Sequence, residues 1–271
     1  MANLSLAVVM STSVQSNIKV ENNIIQKPKT VSKTVGIVMA AGRGSRMKPL
    51  TDTQPKPLAR YRGGETLLEI NLNMMLPLVD EIVIVLHYLG QQIEDFIGNE
   101  YKGIPVYYTW SDGPTTGTLD AFRQGIYTKS EYKNSKTNFL VVNSDNICGV
   151  DYYSQLQRHI QTNSDMTYLL ATEINNKEIL QSSGVFVIDS NHNLIKIVEK
   201  PQDYISNLVN IGIYYLPNFV FDLVESTRPN TDSEEFITDL FNLINTNHLI
   251  KIISSQDTYI PITTVDDLEL N

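Results

Sequence analysis

The sequence predicts an α/β chain: one domain built on a mixed, mostly parallel sheet flanked by helices. Three observations predict it. Short β-branched apolar runs alternate with stretches whose apolar residues recur at helical intervals, the pattern of βαβ units. The runs are apolar at successive positions, as in strands covered on both faces. The chain has 271 residues, 42% of them hydrophobic, which suits one large core or at most two small ones.

The elements follow in order. Residues 35–40, 81–87, 104–109 and 139–143 read as strands. Residues 65–78, 89–98 and 118–128, which lie between them, read as helices. After Asp151 the pattern changes. A helix is expected at 151–162, then strands at 166–173, 184–189, 194–198 and 211–216 with few helices between. The segment Asn191-His192-Asn193 suits a hairpin turn. Helices at 218–225 and 234–245 precede a last strand at 249–254. Residues 1–33 show no clear periodicity and read as a loosely ordered extension of a domain covering 34–271.

Composition excludes several classes. The apolar runs at 82–86 and 140–142 are far too short to span a bilayer, so no membrane partner is expected. The net charge is −9 and the pI about 4.9, which argues against a nucleic-acid partner. The charge is uneven. Lys19, Lys27, Lys29 and Lys33 against Glu21 give residues 1–33 a net +3, and the remainder carries −12. The apolar stretch 4–10 is short, with no basic residue before it and no small-x-small site after it, so no secretory leader is expected. The single Cys148 makes no internal disulfide and suits a small buried hydrophobe in a reducing, cytoplasmic compartment. His87, His159, His192 and His248 are scattered, without metal or triad spacing. Trp110, beside Tyr107 and Tyr108, is expected to pack in the core, with stacking on a base as the alternative.

Chemistry concentrates after the first strand, in Met39-Ala40-Ala41-Gly42-Arg43-Gly44-Ser45-Arg46-Met47-Lys48-Pro49-Leu50-Thr51. A Gly-rich turn after a strand can offer backbone N–H groups to an anion, because glycine allows close approach and positive φ. The turn is not the dinucleotide fingerprint, whose third glycine would fall at Met47, and it lacks the Gly-Lys-Ser/Thr of a Walker loop. Arg46 and, ten residues on, Lys56 in Pro55-Lys56-Pro57-Leu58 add two cations to this phosphate-sized cradle.

That combination resembles the sugar-1-phosphate nucleotidyltransferases, the NDP-sugar pyrophosphorylases, with a nearly complete match over 41–58. The resemblance implies a Rossmann-like nucleotide-diphospho-sugar transferase fold with a nucleotide-binding half over 34–150 and a sugar-binding half over 151–271. It implies an NTP and a sugar 1-phosphate as substrates and Mg²⁺ as cofactor. Ala40, Ala41, Gly42, Arg43, Gly44 and Ser45 would wrap the triphosphate, with Arg46 and Lys56 as the catalytic cations. The segment from Asp112 to Ala121 is similar to the family's Q-x-x-x-x-G-T-x-x-A, placing Gly117 and Thr118 against the nucleotide. Asp112 stands where Gln is common, and it reads either as a base contact or as a loop cap. A carboxylate only accepts, so it suits guanine N1–H and N2–H₂ best, while uracil N3–H or the cytosine amino group would also serve.

Asn143-Ser144-Asp145 resembles the motif whose Asp binds Mg²⁺ and whose first residue contacts the nucleotide. A hard carboxylate oxygen at the C-terminal end of a strand suits that ion. Ser183-Gly184 and Glu199-Lys200-Pro201 match the S-G and E-K-P segments, and Asn210-Ile211-Gly212-Ile213-Tyr214 the N-x-G-x-Y strand. Gly184, Glu199, Lys200 and Asn210 would thus hold the sugar phosphate. One departure stands out. The family closes on a segment carrying a second metal carboxylate, and that position holds Pro261 here, or Thr263 in the shorter variant. Asp257 or Asp266 would have to substitute, or substrate phosphates and water would complete the shell. The sequence stops just after this segment, leaving no expected room for a left-handed β-helix domain. Two rivals stay open: a cytidylyltransferase acting on phosphocholine or a similar non-sugar phosphate, and a catalytically weak homologue that senses nucleotide sugars.

Overall fold

The structure, a computed structural model, describes residues 32–111, 117–226 and 235–269. Most of the 1–33 extension therefore lies outside the described residues, as does Asp112. The first strand, β1, spans Lys33–Met39, so its start takes in Lys33. β2 (Glu81–Leu86), β4 (Ile104–Trp110) and β5 (Thr137–Asn143) lie parallel with it, and the two-residue β3 (Glu100–Tyr101) borders β4. β6 (Asn146–Cys148) leaves this sheet. The later strands are β7 (Thr167–Glu173), β8 (Gly184–Ile188), β9 (Leu194–Glu199), β10 (Leu208–Leu216), β11 (Ile250–Ser254) and β12 (Tyr259–Pro261).

The main sheet runs β11-β7-β10-β5-β1-β2-β4-β3, with β8 and β9 branching from β10. β10 is antiparallel to both β5 and β7, so the sheet continues unbroken across residue 150. β6 and β12 form a separate antiparallel pair.

Strand alternation divides the core in two. Val35, Ile37, Val83 and Val85 face one cluster with Phe122, Phe139, Phe221 and Phe241. Val38, Ile82, Ile84 and Leu86 face another with Leu68, Leu72, Ile93, Tyr152 and Leu156. Period-2 geometry makes both faces apolar, which is why the strands read as continuous runs. The helices covering them are α1 (Leu67–Met75), α2 (Gly90–Ile97), α3 (Gly117–Ile126), α4 (Glu131–Asn134), α5 (Val150–Thr162), α6 (Lys177–Ser182), α7 (Val220–Ser226) and α8 (Ile237–Ile244). None of the described helices is long and apolar enough to cross a membrane.

Differences from the sequence reading have local causes. The helix expected at 65–78 starts later, behind a capping box in which Thr66 Oγ accepts from the Glu69 N–H and Glu69 reaches back to Thr66. Its last turn tightens to 3₁₀ at Leu76–Leu78, where Pro77 lacks the N–H an α-turn needs. α6 was unexpected; its six residues are started by Asn176 Oδ1, which accepts from Glu178 and Ile179 N–H. Trp110 is 45% exposed at the end of β4, not in the core.

One ionic cluster ties β1 to the far side. Buried Glu81 takes Lys33 Nζ at 2.8 Å and Lys129 Nζ at 3.0 Å, together with the Tyr132 hydroxyl. Burial alone would raise the Glu81 carboxyl, but hydrogen bonds from Lys33, Tyr132 and Lys129 outweigh it and hold it below its ordinary 4.5. The folded state therefore binds fewer protons than the unfolded chain in this range. This stabilisation is full above about pH 4.5 and is lost as pH falls through the lower folded value. Urea midpoints measured between pH 3 and 6 should fall on the acid side, and Glu81→Gln should flatten that part of the slope. An equal slope in the variant would disprove the assignment.

Candidate active site

The glycine loop leaves β1 at its C-terminal end. Ala40 is buried, and its N–H donates to Val85 O at 3.0 Å. Gly44 adopts φ 62° and ψ 34°, and a Cβ there would meet Lys56 Cβ and Thr51 Cγ2 at 3.0 Å. Its carbonyl accepts from the Met47 N–H (2.8 Å) and Thr51 Oγ (2.9 Å). Met47 is plugged into a small third core with Ala59, Leu67, Ile262 and Leu268. The loop backbone is thus fixed from beneath, while Gly42, Arg43, Ser45 and Arg46 stand exposed above it. The Arg43 guanidinium lies 5.7 Å from the Tyr88 ring centroid, and Tyr88 donates to Thr51 O at 2.9 Å.

Lys56 crosses beneath Gly44, and its ammonium sits 2.8 Å from Asp145 Oδ2. The lysine side chain is 11% exposed and the aspartate 44%. A mostly buried cation thus faces a half-open carboxylate. Asp145 follows β5 in a turn held down by Ser144 Oγ, which donates to Met39 O at 2.9 Å. At the same end of β5, two residues before Asp145, Asn143 Oδ1 is buried with no hydrogen-bond partner among the described residues. Its side chain packs where Gly212 of β10 has φ 78°; a Cβ on Gly212 would lie 2.5 Å from Asn143 Nδ2. Asn210 shapes that bulge, its Oδ1 accepting from the Gly212 N–H (3.0 Å) and its Nδ2 donating to Tyr214 OH (2.9 Å). Burial pushes the Tyr214 phenol well up, so it stays neutral.

The terminal segment does come to Asp145, but brings no carboxylate. The Ile262 N–H donates to Asp145 O at 3.0 Å, and Pro261 opposes Asn146 across β6 and β12. Thr263 Oγ donates to Asp267 Oδ2 at 2.9 Å. Asp257 is used elsewhere: it accepts from the N–H groups of Asp151 (2.9 Å) and Thr258 (2.7 Å), at the start of α5 and against Gly149. Asp266 sits exposed in a 3₁₀ turn. Among the described residues no group of three His, Cys, Asp or Glu could hold a metal ion. Cys148 is buried nearby, and burial raises its thiol far above the ordinary value, leaving it inert.

The remaining positions gather on the β8–β9 hairpin. Gly184 and Glu199 are register partners, and a Cβ on Gly184 would lie 3.1 Å from Glu199 Oε2. Lys200 has φ 48°, donates its N–H to Ser183 O at 3.0 Å, and holds its ammonium 4.6 Å from the Phe236 ring centroid. Two residues here escaped the sequence reading: Phe236, and Thr238, which is 3% exposed with its hydroxyl unpartnered among the described residues. Thr238 Cγ2 lies 3.4 Å from the same Gly184 point. Both belong to a stretch that the helical period 234–245 absorbed; the start of α8 at Ile237 frees Phe236 from the helix. Gly117 (φ 79°) opens α3, and Thr118 Oγ accepts from the Ile237 N–H at 2.9 Å.

The family model described as nucleotidyl transferase matches residues 35–256. The chain is 29% identical over 215 residues to a bifunctional protein GlmU of Methanocaldococcus jannaschii, covering 79% of this chain and 46% of that protein. It is 28% identical over 217 residues to the mannose-1-phosphate guanylyltransferase catalytic subunit beta of Drosophila melanogaster, covering 77% and 55%. The chain thus spans about half the length of the curated relatives it matches. A crystal structure of UDP-glucose pyrophosphorylase complexed with UDP-glucose superposes with TM-score 0.74 over 88% of this chain and 96% of that one, at 20% identity, a likeness of fold. With a family match running from β1 to just beyond β11, over the loop, Lys56, Asp145 and the hairpin, the chain belongs to the nucleotidyl transferase family.

Proposed function

We propose that this chain transfers a nucleoside monophosphate from an NTP to a sugar 1-phosphate, giving a nucleotide sugar and pyrophosphate. The observation that carries the reading is the buried Lys56 ammonium, held under Gly44 and 2.8 Å from Asp145. A phosphate oxygen of the sugar 1-phosphate attacks the α-phosphorus. The bond from that phosphorus to the oxygen bridging the β-phosphate breaks, and pyrophosphate leaves with the electron pair. Two anions must meet, so fixed cations in a sheltered site lower the barrier.

In this reading Ala40 to Ser45 present the loop backbone to the triphosphate, and Lys56 and Arg46 neutralise the phosphates as they crowd. The open acceptor of Asn143 takes a donor from the nucleotide. Glu199 accepts sugar hydroxyls, Asn210 orients the sugar, and Lys200 meets its phosphate. Asp145 is the protein's ligand for Mg²⁺. A single half-open carboxylate fits that ion, which keeps waters and is commonly held by one or two carboxylates plus substrate phosphates. When bound, Mg²⁺ supplies charge neutralisation and Lewis acidity at the phosphates. The pair Glu199–Lys200 favours a sugar over phosphocholine as acceptor.

A second reading, a nucleotide-sugar sensor with little turnover, is favoured by the lack of a carboxylate at Pro261 and Thr263 beside Asp145. One experiment separates the two. Pyrophosphate release is assayed for each NTP against a panel of sugar 1-phosphates, with Mg²⁺ and with EDTA. Release from at least one pair, abolished by EDTA, is expected. Binding of an NDP-sugar without any release would decide for the sensor.

A further inference from the structure

Two buried charged side chains, Arg123 and Asp120, and the mostly covered Glu235 lie outside the phosphate chemistry. The Arg123 guanidinium lies 3.1 Å from Glu235 Oε2 and 3.5 Å from Asp120 Oδ1. Asp120 Oδ2 accepts from Ser111 Oγ at 3.0 Å. Burying charge is costly unless geometry and pairing are good, so such a network holds its elements in one arrangement. The elements it holds are the end of β4, the first turns of α3, and the run 235–238.

That run touches two places in succession. Glu235 O accepts from the Leu119 N–H at 3.1 Å, and the Ile237 N–H donates to Thr118 Oγ, so the run is stitched to the start of α3. Phe236 is extended (φ −95°, ψ 140°), and its ring lies under the Lys200 ammonium. Thr238 packs on Gly184. Ile237 and Thr238 already belong to α8, so the run reaches less than the roughly 13 Å of four extended residues, short enough for a shift at one end to be felt at the other.

We infer that residues 235–238 form a strap coupling the nucleotide-base subsite to the placement of Lys200, with Arg123 as the positioning residue that clamps the strap to α3. This rests on the function proposed above. A nucleotide seated against Gly117 and Thr118 fixes the start of α3, the strap fixes Phe236, and Phe236 fixes Lys200 for the sugar phosphate. Coupling of this kind is reciprocal: each ligand tightens the other by the same factor.

The test is calorimetric binding with the α,β-methylene analogue of the NTP that the protein uses and its sugar 1-phosphate, alone and together. In the wild type each ligand is expected to tighten the other by about fivefold or more. Arg123→Lys and Glu235→Gln should bring that factor close to one while kcat stays within about twofold. Phe236→Leu, which uncovers no buried charge, should raise KM for the sugar 1-phosphate by about 3- to 10-fold without changing NTP affinity. Independent binding in the wild type, or an unchanged factor in Arg123→Lys, overturns the strap. Should the wild type convert no substrate pair, the proposed function fails, and hydrogen exchange of the ligand-free protein judges the strap. Glu235→Gln should then speed exchange of the Leu119 and Ile237 amides together, and unchanged exchange overturns it.

Discussion

Lys56→Ala is expected to lower the rate of pyrophosphate release by about 100- to 1000-fold, the usual cost of removing one preorganised donor from a charged transition state. The side chain is nearly enclosed, and its stem packs against Gly44. The fold should survive. Asp145 is half open to water and regains solvation when its partner goes, so loss of the pair should cost under about 1 kcal/mol. Thermal melting within a few degrees of wild type, combined with the rate loss, would identify Lys56 as catalytic. A variant that keeps wild-type turnover would reduce the pair to a surface contact. Lys56→Arg should restore little, because the planar fork does not replace a compact ammonium in a cradle shaped around its stem.

Gly212→Ala is expected to be the most damaging of the small substitutions. The position has φ 78°, which costs an L-residue roughly 1–2 kcal/mol. The new Cβ would fall 2.5 Å from Asn143 Nδ2 and 2.9 Å from Asn143 Cβ, so rotating the amide away does not relieve it. Overpacking of that kind adds roughly 1–3 kcal/mol. A total of about 2–5 kcal/mol corresponds to a fall in Tm of about 4–20 °C for a chain of this size. Asn143 must move as well, so KM for the NTP should rise in whatever protein remains folded. Gly42→Ala is the control. A Cβ there meets nothing within 4 Å, and its melting temperature should stay at the wild-type value.

Much of this was legible in the sequence. Runs such as 82–86 announced strands buried on both faces, because each side of the sheet has its own core and neither spares a polar position. The loop, Lys56 and Asp145 were legible because their spacing is local or motif-bound. Distant side-chain-to-backbone bonds were not. Asp257 looked available for a metal, yet its carboxylate caps backbone N–H groups at the start of α5, a contact between residues about a hundred positions apart. The terminal segment was expected to bear on the metal site, and it does lie against Asp145; only its chemistry is missing. β3, β6 and β12 are two or three residues long, too short to show a period. The run 235–238 escaped because its roles are divided between backbone groups and single side chains.

The small core beneath the glycine loop carries a consequence for how the protein is made. Met47 seats against Ile262 and Leu268, which are translated roughly two hundred residues after it. While the ribosome is still adding the second half, β1 can pair with β2 and β5, but the loop rests only on Ala59 and Leu67, its own half of that floor. The floor of the loop is therefore completed late, once Ile262 and Leu268 have been made.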